Sequence, residues 1–341
     1  MRRFLTNINT PDLKGKSILI TGGTGSFGKA MLRRLIQDFA PRKVAVYSRG
    51  EHPHMELMHS LSKEESRIFR SFIGDVRDGD RLRMAMRDVD IVIHAAALKH
   101  VPIAEYNPFE CIGTNVIGAE NVARAAIDSG VAQVIALSTD KACDPINLYG
   151  ASKLASDKIF VAANSYAGQK GTRLCVVRYG NVVGSQGSVV PLFQKMVADG
   201  VKEIPITDER MTRFWITLDQ AVDFVLSSID LMRGGEIFIP KIPSMNVMDL
   251  ADAVAPDLPR KIVGKRPGEK LHEVMISEHV SHNVIDMHDR YAIEPEWSFW
   301  EREPFDKQKY ARVDEEFRYA SDNNTEWLTA DQLRQLIDGG V

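Results

Sequence analysis

Residues 17–28 read Ser17-Ile18-Leu19-Ile20-Thr21-Gly22-Gly23-Thr24-Gly25-Ser26-Phe27-Gly28, an apolar run that ends in a glycine-rich turn. A helical pattern follows directly, over residues 29–39. Gly22, Gly25 and Gly28 allow a tight turn, a close approach of the backbone to a pyrophosphate, and tight packing of the helix on the strand. The helix N-terminus adds free N–H groups and the positive end of its dipole. The stretch predicts the first βα unit of a dinucleotide-binding fold, with these residues at the phosphates: Gly22, Thr24, Gly25, Ser26, Phe27 and Gly28.

Strand and helix patterns alternate from residue 15 to residue 180. Further strands are predicted at 43–48, 69–74, 90–95, 133–138 and 174–178, and helices at 118–129 and 151–167. The strand runs are continuously apolar, as expected when helices cover both faces of a parallel sheet. The pattern predicts an α/β protein whose residues 1–180 form a Rossmann-like, doubly wound parallel sheet.

The alternation becomes looser beyond about residue 180. One more helix is predicted at 214–232 and one more strand at 236–240, so we expect residues 214–242 to return to the main sheet. The remaining residues, 181–213 and 243–341, are predicted to form a smaller C-terminal α/β region that binds the substrate.

Composition excludes several classes of protein. The 341 residues carry a net charge of -3 with a pI near 6.3, so we expect no nucleic-acid partner and no anionic membrane surface. Three cysteines, an odd number far apart, fit neither a disulfide framework nor a zinc spacing, and we predict no metal site. The start, Met1–Leu5, has basic residues without a following apolar segment, and no run reaches the roughly 18 apolar residues of a membrane span. We expect a cytoplasmic protein.

The end of the second predicted strand indicates which dinucleotide is bound. An NAD-selective site usually carries an acidic residue there, to hold the ribose 2′-hydroxyl, and this chain has Ser48 and Arg49 instead. A guanidinium pairs with a phosphate in a bidentate way, so the two residues favour NADP and its 2′-phosphate. Position alone adds Asp75 and Val76 at the adenine, and Ala95 and Ala97 beside the nicotinamide ribose.

Tyr149-Gly150-Ala151-Ser152-Lys153 places a tyrosine and a lysine four residues apart on one helical face. A lysine ammonium beside the phenol is expected to lower the tyrosine pKa from about 10 toward the working range, and it can also contact the ribose. Tyr149 then serves as base or acid for an alcohol that is oxidised or reduced by hydride transfer. The pair is common by chance and becomes specific when the glycine turn precedes it.

Thr139-Asp140-Lys141 follows a predicted strand, at the edge of the sheet where ligands bind. Thr139 supplies a hydroxyl to the reacting oxygen beside Tyr149. Asp140 and Lys141 add a carboxylate and an amine to the same centre. A simple alcohol oxidation or a 4-epimerisation needs neither group, whereas elimination of water needs both an acid and a base.

These motifs together resemble a known family. The glycine turn with Tyr149 and Lys153 is similar to the extended short-chain dehydrogenase/reductases that modify nucleotide sugars. Within these, Ser138-Thr139-Asp140 resembles the 4,6-dehydratases, whose retaining members continue with a glutamate where this chain has Lys141.

That departure, taken with three further stretches, resembles the inverting UDP-N-acetylglucosamine 4,6-dehydratases. The stretches are 97–102, 178–182 and 266–273, and the tail at 319–328 looks closest to the pseudaminic acid branch. The resemblance covers essentially the whole chain. Larger relatives carry membrane segments, and this chain looks like the soluble branch.

The resemblance implies a three-step reaction with NADP. Tyr149, helped by Lys153 and Thr139, removes the proton of the 4-hydroxyl while a hydride leaves carbon 4. Lys141 then removes the proton at carbon 5, provided that its amine is neutral, and Asp140 assists the loss of the 6-hydroxyl as water. The hydride returns to carbon 6, and a proton is added at carbon 5 from the opposite face. The roles of Asp140 and Lys141 are exchangeable at this stage, because their pKa values are coupled.

The resemblance also implies contacts to UDP-N-acetylglucosamine. Asn181 resembles a contact to the sugar phosphates, and Arg266 with Glu269 resembles contacts to the UDP phosphate and ribose. Arg213 is a further diphosphate candidate, and Lys99 is expected to line both the substrate and the cofactor pocket. The family also implies a homo-oligomer, a dimer or hexamer, packed through helices such as 118–129 and 151–167.

Four alternatives stay open from the sequence. Three are reactions of the same family: 4-epimerisation, dehydration with retained configuration at carbon 5, and dehydration followed by a further epimerisation. The fourth is a catalytically silent regulator that binds NADP, because a fold does not guarantee a reaction. The complete set Thr139, Tyr149 and Lys153 argues against the regulator, since a sensor needs no proton relay.

Overall fold

The computed structural model describes residues 4, 10–168, 171–184, 188–306 and 308–338. Most of the N-terminal stretch on which we based the absence of a secretory signal, residues 1–3 and 5, lies outside these ranges. Within them, no helix combines the length and the apolar character that a membrane span requires.

The described strands, in chain order, are β1 (Ser17–Thr21), β2 (Lys43–Ser48), β3 (Phe69–Ile73), β4 (Ile91–His94), β5 (Gln133–Thr139), β6 (Arg173–Tyr179), β7 (Asn181–Val182), β8 (Ile204–Ile206), β9 (Thr212–Ile216), β10 (Ile237–Pro240), β11 (Ser244–Asn246), β12 (Arg260–Ile262), β13 (Val274–Ile276), β14 (Val284–Asp286), β15 (Arg290–Ile293), β16 (Ala311–Arg312) and β17 (Tyr319–Ala320). The described α-helices are α1 (Ser26–Asp38), α2 (Glu51–His59), α3 (Glu65–Ile68), α4 (Gly79–Ala85), α5 (Val101–Tyr106), α6 (Pro108–Ile112), α7 (Gly118–Asp128), α8 (Leu148–Ala163), α9 (Val189–Ala198), α10 (Leu218–Leu231), α11 (Val247–Val254) and α12 (Ala330–Asp338). Short 3₁₀ turns cover Asp140–Ala142, Asn164–Tyr166 and Glu278–Asn283, and a π-helical turn covers Gly113–Ile117.

The main sheet of the described chain has ten strands in the order β16-β14-β15-β10-β6-β5-β4-β1-β2-β3. The pairs from β3 through β10 are parallel, and β14, β15 and β16 add antiparallel pairs at one side. Strand order reverses between β1 and β4, and ligands bind at such a switch point, beyond the carboxyl ends of the strands. The doubly wound α/β fold expected from the sequence is confirmed.

All five residues of β1 are buried, as are the four residues of β4, because helices cover both faces of the sheet. A separate apolar cluster lies around α9, α11 and α12, with Trp215, Leu250 and Leu333 among its buried members. The molecule therefore has one large core under the sheet and a smaller one in its C-terminal half.

The helix that we predicted over 214–232 begins later than expected. Phe214–Ile216 belongs to β9, which pairs with β7 and β11. Helix α10 begins at Leu218, after a capping box in which Thr217 and Gln220 exchange side-chain and backbone hydrogen bonds. Apolar residues continue from β9 into α10, so the sequence pattern did not show where the strand ends and the helix begins.

The C-terminal region is also divided differently from our expectation. Strand β10 pairs with β6 in the main sheet, as the return of residues 214–242 requires. Within 243–341, however, β14, β15 and β16 extend the same sheet beyond β10. These short antiparallel strands lie at a sheet edge and lack the long apolar runs by which the parallel strands were recognised.

Candidate active site

The glycine turn between β1 and α1 leaves no room for a Cβ at Gly22 or Gly28. Gly22 has a φ of +66°, and a Cβ there would lie 2.8 Å from the backbone N of Ala96. A Cβ on Gly28 would lie 2.3 Å from Gly23 Cα. Among the described residues no side chain caps α1 at Gly25, so no capping side chain accepts a hydrogen bond from the first N–H groups of the helix. The turn thus fits the diphosphate of a dinucleotide.

A single cleft of about 940 Å³ runs from this turn along the carboxyl ends of the strands. It brings together the residues that we assigned to the cofactor and the substrate, namely Gly22, Thr24, Gly25, Ser26, Phe27, Gly28, Ser48, Arg49, Asp75, Val76, Ala95, Ala97, Lys99, Tyr149, Lys153, Asn181, Arg213, Arg266 and Glu269. Thr139 and Lys141 line it as well. Asp140 does not, because it is 0% exposed behind Lys141.

The adenosine end of the cleft has an exposed Arg49 next to Ser48. The Ser48 hydroxyl lies 3.1 Å from His54 Nε2, and the other ring nitrogen of His54 lies 2.8 Å from Ser71 Oγ. Asp75 is held by Arg77 through both its carboxylate oxygens. Burial alone would raise the pKa of Asp75, but the hydrogen bonds from Arg77 outweigh it and the pKa lies below its ordinary value. Asp75 is therefore an ionised acceptor at this end.

Helix α8 carries Tyr149 and Lys153, and it packs closely on the turn that carries Lys141. Asn147 caps the helix by accepting a hydrogen bond from Gly150 N at 2.8 Å. A Cβ on Gly150 would lie 2.2 Å from the Lys141 carbonyl oxygen, so only glycine fits between helix and turn. This close packing therefore fixes the position of Tyr149 and Lys153 relative to the turn that carries Lys141.

The electrostatics of Tyr149 differ from our expectation. Burial raises the pKa of Tyr149 to about 12, although the charge of Lys141 and a hydrogen bond with Thr139 both lower it. Lys153, from which we expected the lowering, is itself buried, and desolvation lowers its own pKa against the attraction of Asp157. The phenol is thus protonated at neutral pH, and Lys141 is the cation that favours its ionisation.

A buried polar network that the sequence did not indicate supports this helix from below. Asp157 Oδ2 accepts from Ser138 Oγ at 2.8 Å and from Arg178 Nη2 at 3.1 Å. Arg178 also donates to the carbonyl of Met275 at 2.9 Å. The network ties α8 to β5, to β6 and to the segment around β13, which explains how that distant segment reaches the site.

Three side chains, Asp140, Lys141 and Glu273, form what we call the carboxylate cluster. Lys141 Nζ lies 3.0 Å from Asp140 Oδ1 and 3.5 Å from Glu273 Oε1, and Thr139 Oγ1 donates to Asp140 Oδ1 at 2.9 Å. The second carboxylate oxygen of Asp140 and that of Glu273 are buried and have no hydrogen-bond partner among the described residues. Each carboxylate therefore keeps one oxygen available for another group.

The base role that we expected for Lys141 requires a neutral amine, and the cluster favours the ammonium. Burial lowers the pKa of Lys141, but Asp140 and Glu273 outweigh it, so that the pKa lies above its ordinary value. Glu273, which faces Lys141 from the loop before β13, is the group that the sequence interpretation did not weigh. Which of Asp140 and Lys141 acts as the acid and which as the base stays a prediction.

The guanidinium of Arg213 makes more contacts with the protein itself than we expected. Its guanidinium donates to the carbonyls of Thr212, Leu271 and Lys270 at 2.7, 3.1 and 3.0 Å, and Nε lies 3.8 Å from Glu273 Oε1. It holds the loop before β13 against β9, although it still lines the cleft. Arg266, in contrast, is mostly exposed at the mouth of the cleft, 4.0 Å from Glu269.

Asn115 is a further residue that we missed. It lies in the π-helical turn before α7, a rare conformation that often marks functional sites. Its side-chain amide pairs with both the N–H and the carbonyl of Leu98, and it donates to Ser152 Oγ at 2.9 Å. It thus joins the loop after β4 to α8.

Among the described residues, no group of three or more His, Cys, Asp or Glu side chains is placed to bind a metal ion.

Comparisons with known proteins agree with this geometry. Residues 18–295 match the family of polysaccharide biosynthesis proteins. The inverting UDP-N-acetylglucosamine 4,6-dehydratase of Campylobacter jejuni strain 81-176 is 56% identical over 95% of this chain and 98% of its own length. A UDP-glucose 4-epimerase of Rickettsia akari is 43% identical over 82% of each chain.

Among solved structures, that of Pen from Bacillus thuringiensis superposes with a TM-score of 0.86 and 34% identity, covering 96% of this chain and all of that one. The family match spans most of the chain, and the Campylobacter relative spans nearly all of it. The chain therefore belongs to the polysaccharide biosynthesis protein family of extended short-chain dehydrogenase/reductases, together with inverting UDP-N-acetylglucosamine 4,6-dehydratases.

Proposed function

We propose that the protein is a 5-inverting UDP-N-acetylglucosamine 4,6-dehydratase. The observation that carries the proposal is the carboxylate cluster beside Tyr149, since an elimination needs a base and a charged acid next to the redox centre. The 56% identity to a dehydratase of this name supports the substrate and the stereochemistry. The product would be UDP-2-acetamido-2,6-dideoxy-β-L-arabino-hex-4-ulose, which we assign to the first step of pseudaminic acid biosynthesis.

The cofactor belongs to the nicotinamide dinucleotides, and we infer NADP. A bound dinucleotide would supply a reversible hydride acceptor for the transfer from carbon 4 of the sugar to carbon 6, so that no net oxidation would occur. The glycine turn would hold the diphosphate, Asp75 with Val76 the adenine, and Ala95 with Ala97 the inner ribose. Arg49, exposed at the end of β2, and Ser48 would hold the 2′-phosphate.

Tyr149 and Thr139 would act first, at the 4-hydroxyl of the sugar. The ionised phenol accepts the hydroxyl proton, and the Lys153 ammonium stabilises the phenolate that does so. Because the pKa of Tyr149 is about 12, only a small fraction is ionised at neutral pH, and the nearby Lys141 charge helps to form it.

Asp140 and Lys141 would carry out the elimination. The 4-ketone acidifies carbon 5, Lys141, which lines the cleft, accepts that proton as the neutral amine, and Asp140 assists the loss of the 6-hydroxyl as water. The hydrogen bond of 3.0 Å between Lys141 Nζ and Asp140 Oδ1 lets the ammonium pass its proton to the carboxylate beforehand, which gives the neutral amine and the carboxylic acid that this step uses. A proton from solvent is then added to carbon 5 from the opposite face, which inverts that centre. Asn181, Arg266 and Glu269 would hold the diphosphate and the uridine ribose.

A 4-epimerase is the second candidate, because the Rickettsia akari relative of that name is 43% identical. An epimerase uses the tyrosine and the lysine of α8 but breaks no bond at carbon 6. It gives no role to the carboxylate cluster, which is why we favour the dehydratase.

One experiment separates these candidates. The purified protein is incubated with UDP-N-acetylglucosamine in deuterated water, and the product is analysed by mass spectrometry and NMR. We expect loss of one water, deuterium at carbon 5, and inverted configuration there. A product that keeps all its oxygen indicates an epimerase, unchanged configuration at carbon 5 a retaining dehydratase, and additional inverted centres a further epimerisation. No conversion at all favours the silent regulator.

We also propose a homo-oligomer, a dimer or hexamer. Large apolar side chains are exposed along α5, α6 and the π-helical turn, beside α7 and α8: Ile103, Tyr106, Phe109, Ile112 and Ile117. An apolar patch of this kind supports burial against a second copy. Sedimentation analysis tests the assembly, and a monomer at micromolar concentration contradicts it.

A further inference from the structure

A buried histidine lies behind the end of β2, at the adenosine end of the cleft. His54, on α2, is 2% exposed and is not one of the described residues that line the cleft. Its Nε2 lies 3.1 Å from Ser48 Oγ and 3.2 Å from the Ser48 carbonyl oxygen, and its Nδ1 lies 2.8 Å from Ser71 Oγ on β3. Both ring nitrogens therefore have hydrogen-bond partners, and one partner, Ser48, lines the cleft.

These contacts determine which ring nitrogen of His54 carries the proton. Burial lowers the pKa of His54, and the hydrogen bond with the Ser48 backbone opposes this only in part, so the ring is neutral at pH 7 with a single N–H. A carbonyl oxygen only accepts, so the proton lies on Nε2, which donates to both the carbonyl and the hydroxyl oxygen of Ser48. The other tautomer would set the lone pair of Nε2 against those of the carbonyl oxygen, which is repulsive. Nδ1 therefore accepts from the Ser71 hydroxyl.

The tautomer of His54 determines what Ser48 offers to a ligand. Because Ser48 Oγ accepts from Nε2–H, its own proton is not used by the histidine and can be donated into the cleft. The oxygens of a phosphate dianion only accept hydrogen bonds, whereas a ribose hydroxyl also needs an acceptor for its proton. NAD-selective sites supply that acceptor with an acidic side chain, which the end of β2 lacks. A donating Ser48 beside Arg49 therefore suits a phosphate.

We propose that His54 is a positioning residue that favours NADP over NAD, because its Nε2–H fixes Ser48 as a hydrogen-bond donor to the 2′-phosphate. The inference rests on the proposed use of NADP and adds to it a residue that does not touch the dinucleotide. His54 keeps its proton throughout and acts only by orienting the serine hydroxyl.

A merely structural role for His54 predicts a different outcome. The histidine also holds α2 against β2 and β3, and a displaced α2 would weaken both dinucleotides, because NADP and NAD share the adenosine. The proposed role acts through the Ser48 hydroxyl and weakens only NADP. The ratio of the two affinities therefore distinguishes the two roles.

The first measurement compares two amide variants that replace different ring nitrogens. The longer side chain of His54→Gln carries an N–H near the position of Nε2, whereas that of His54→Asn reaches only as far as Nδ1. Fluorescence titration of the purified proteins gives both affinities. In His54→Asn we expect about a ten-fold loss of NADP affinity, the usual effect of one hydrogen bond to a charged group, with unchanged NAD affinity. His54→Gln should keep both affinities.

The control for these variants is His52→Gln, which replaces an exposed histidine of the same helix and should change neither affinity. An NADP affinity that stays unchanged in His54→Asn overturns the proposal. An equal loss of NADP and NAD affinity shows a structural role and overturns it as well.

The second measurement tests whether His54 acts through Ser48. Ser48→Ala should lower NADP affinity about ten-fold by itself, and adding His54→Asn to it should cause no further loss, because the hydroxyl to be oriented is gone. If the two losses multiply in the double variant, His54 acts by another route and the proposal is wrong.

The third measurement uses the wild type and does not depend on whether any variant folds. In protein with ¹⁵N-labelled histidine, the nitrogen shifts report the tautomer of each ring, and His54→Gln identifies the His54 signals. We expect a neutral ring with the proton on Nε2 at pH 7. A proton on Nδ1 would make Ser48 the donor to His54 and would overturn the proposal.

These measurements also separate the inference from the proposed function. If the wild type prefers NADP and His54→Asn keeps that preference, the proposed cofactor stands and the inference is wrong. If the wild type binds NAD as tightly as NADP, the proposed cofactor is wrong and the inference fails with it. If His54→Asn loses the preference while the wild type removes no water from UDP-N-acetylglucosamine, the proposed reaction is wrong and the inference stands.

Discussion

The two ends of the cleft are built in different ways. At the phosphate end, the turn and the start of α1 come from residues 17–28, and the backbone there is packed too closely to accept a Cβ at Gly22 or Gly28. At the other end, the carboxylate cluster combines the end of β5 with the loop before β13, and Arg213 on β9 and Tyr149 on α8 face the same lysine.

This difference determines how each end responds to change. The phosphate end depends on steric fit at its glycines, so we expect it to respond little to pH and to accept no Cβ at Gly22 or Gly28. The carboxylate end depends on the balance of a few buried charges, so it responds to pH and to changes in the segments that hold those charges. Substitutions at the two ends are therefore expected to separate dinucleotide binding from the elimination.

The largest effect is expected from Gly28→Ala at the phosphate end. The new Cβ would lie 2.3 Å from Gly23 Cα, and backbone atoms on both sides have to move apart. Such overpacking typically costs about 1–3 kcal/mol of fold stability. Because the displaced backbone is the proposed phosphate-binding surface, we also expect roughly a hundred-fold loss of NADP affinity, or about 2.7 kcal/mol. Isothermal titration calorimetry measures the affinity.

The matched control for this variant is Gly79→Ala at the start of α4. There the added Cβ meets only Asn121 Oδ1, at an ordinary 3.6 Å, and we expect unchanged binding and stability. If Gly28→Ala binds NADP as tightly as this control does, the phosphate end is not controlled by steric fit.

A smaller effect is expected at the other end from Ser321→Ala. The variant removes the hydroxyl that accepts from Glu273 N and contacts Thr212, and it leaves buried polar groups without partners. We expect the free energy of unfolding to fall by about 2–3 kcal/mol. Turnover should fall more than that of a stability-matched variant, while NADP affinity stays unchanged. Chemical denaturation, steady-state kinetics and calorimetry provide the three values, and a proportional loss of NADP affinity would show that the ends are coupled.

The same contrast explains what the sequence predicted well. Strands β1 and β2 have the bounds expected from their apolar runs, and the glycine turn lies where a dinucleotide fold requires it. Tyr149 and Lys153 share a helical face because their spacing is local. All of these features are determined by residues within a few positions of each other.

Other features depend on contacts between distant segments, and the sequence gave no local sign of them. Glu273 stands well over a hundred residues from Lys141, and the pairing of β13 with β17, together with the contacts of Arg178 and Arg213, brings it there. Without Glu273, the balance of charges around Lys141 could not be judged from the sequence. The pKa of Tyr149 was misjudged for a similar reason, because the degree of burial depends on the whole fold.

His94, the last residue of β4, is expected to make the free energy of unfolding depend on pH. Its Nδ1 lies 2.8 Å from Thr21 Oγ1, and its Nε2 is buried without a partner among the described residues. Burial, with a smaller effect of Lys153, lowers the pKa of His94 from 6.5 to about 3. Between these values the unfolded chain binds more protons than the folded one, so stability falls as the pH falls.

From pH 7 to pH 5 this histidine is expected to remove about 2 kcal/mol from the free energy of unfolding. Urea denaturation at the two pH values measures the loss. His94→Gln should show a smaller loss, whereas the exposed His59→Gln should behave like the wild type. An equal loss in both variants would mean that other groups cause the acid sensitivity.

The smallest effect is expected for Arg49→Ala, which tests whether a positive charge also contributes to NADP affinity at the phosphate end. Arg49 is exposed, so its pairing with a 2′-phosphate would be screened by solvent, and we expect about a ten-fold loss of NADP affinity, or ~1.4 kcal/mol. NAD lacks that phosphate, and its affinity should not change. The exposed Arg67→Ala, on the neighbouring α3, controls for a general loss of positive charge. Fluorescence titration with both dinucleotides gives the ratio. An unchanged preference removes Arg49 from the site and leaves steric fit as the sole determinant at this end.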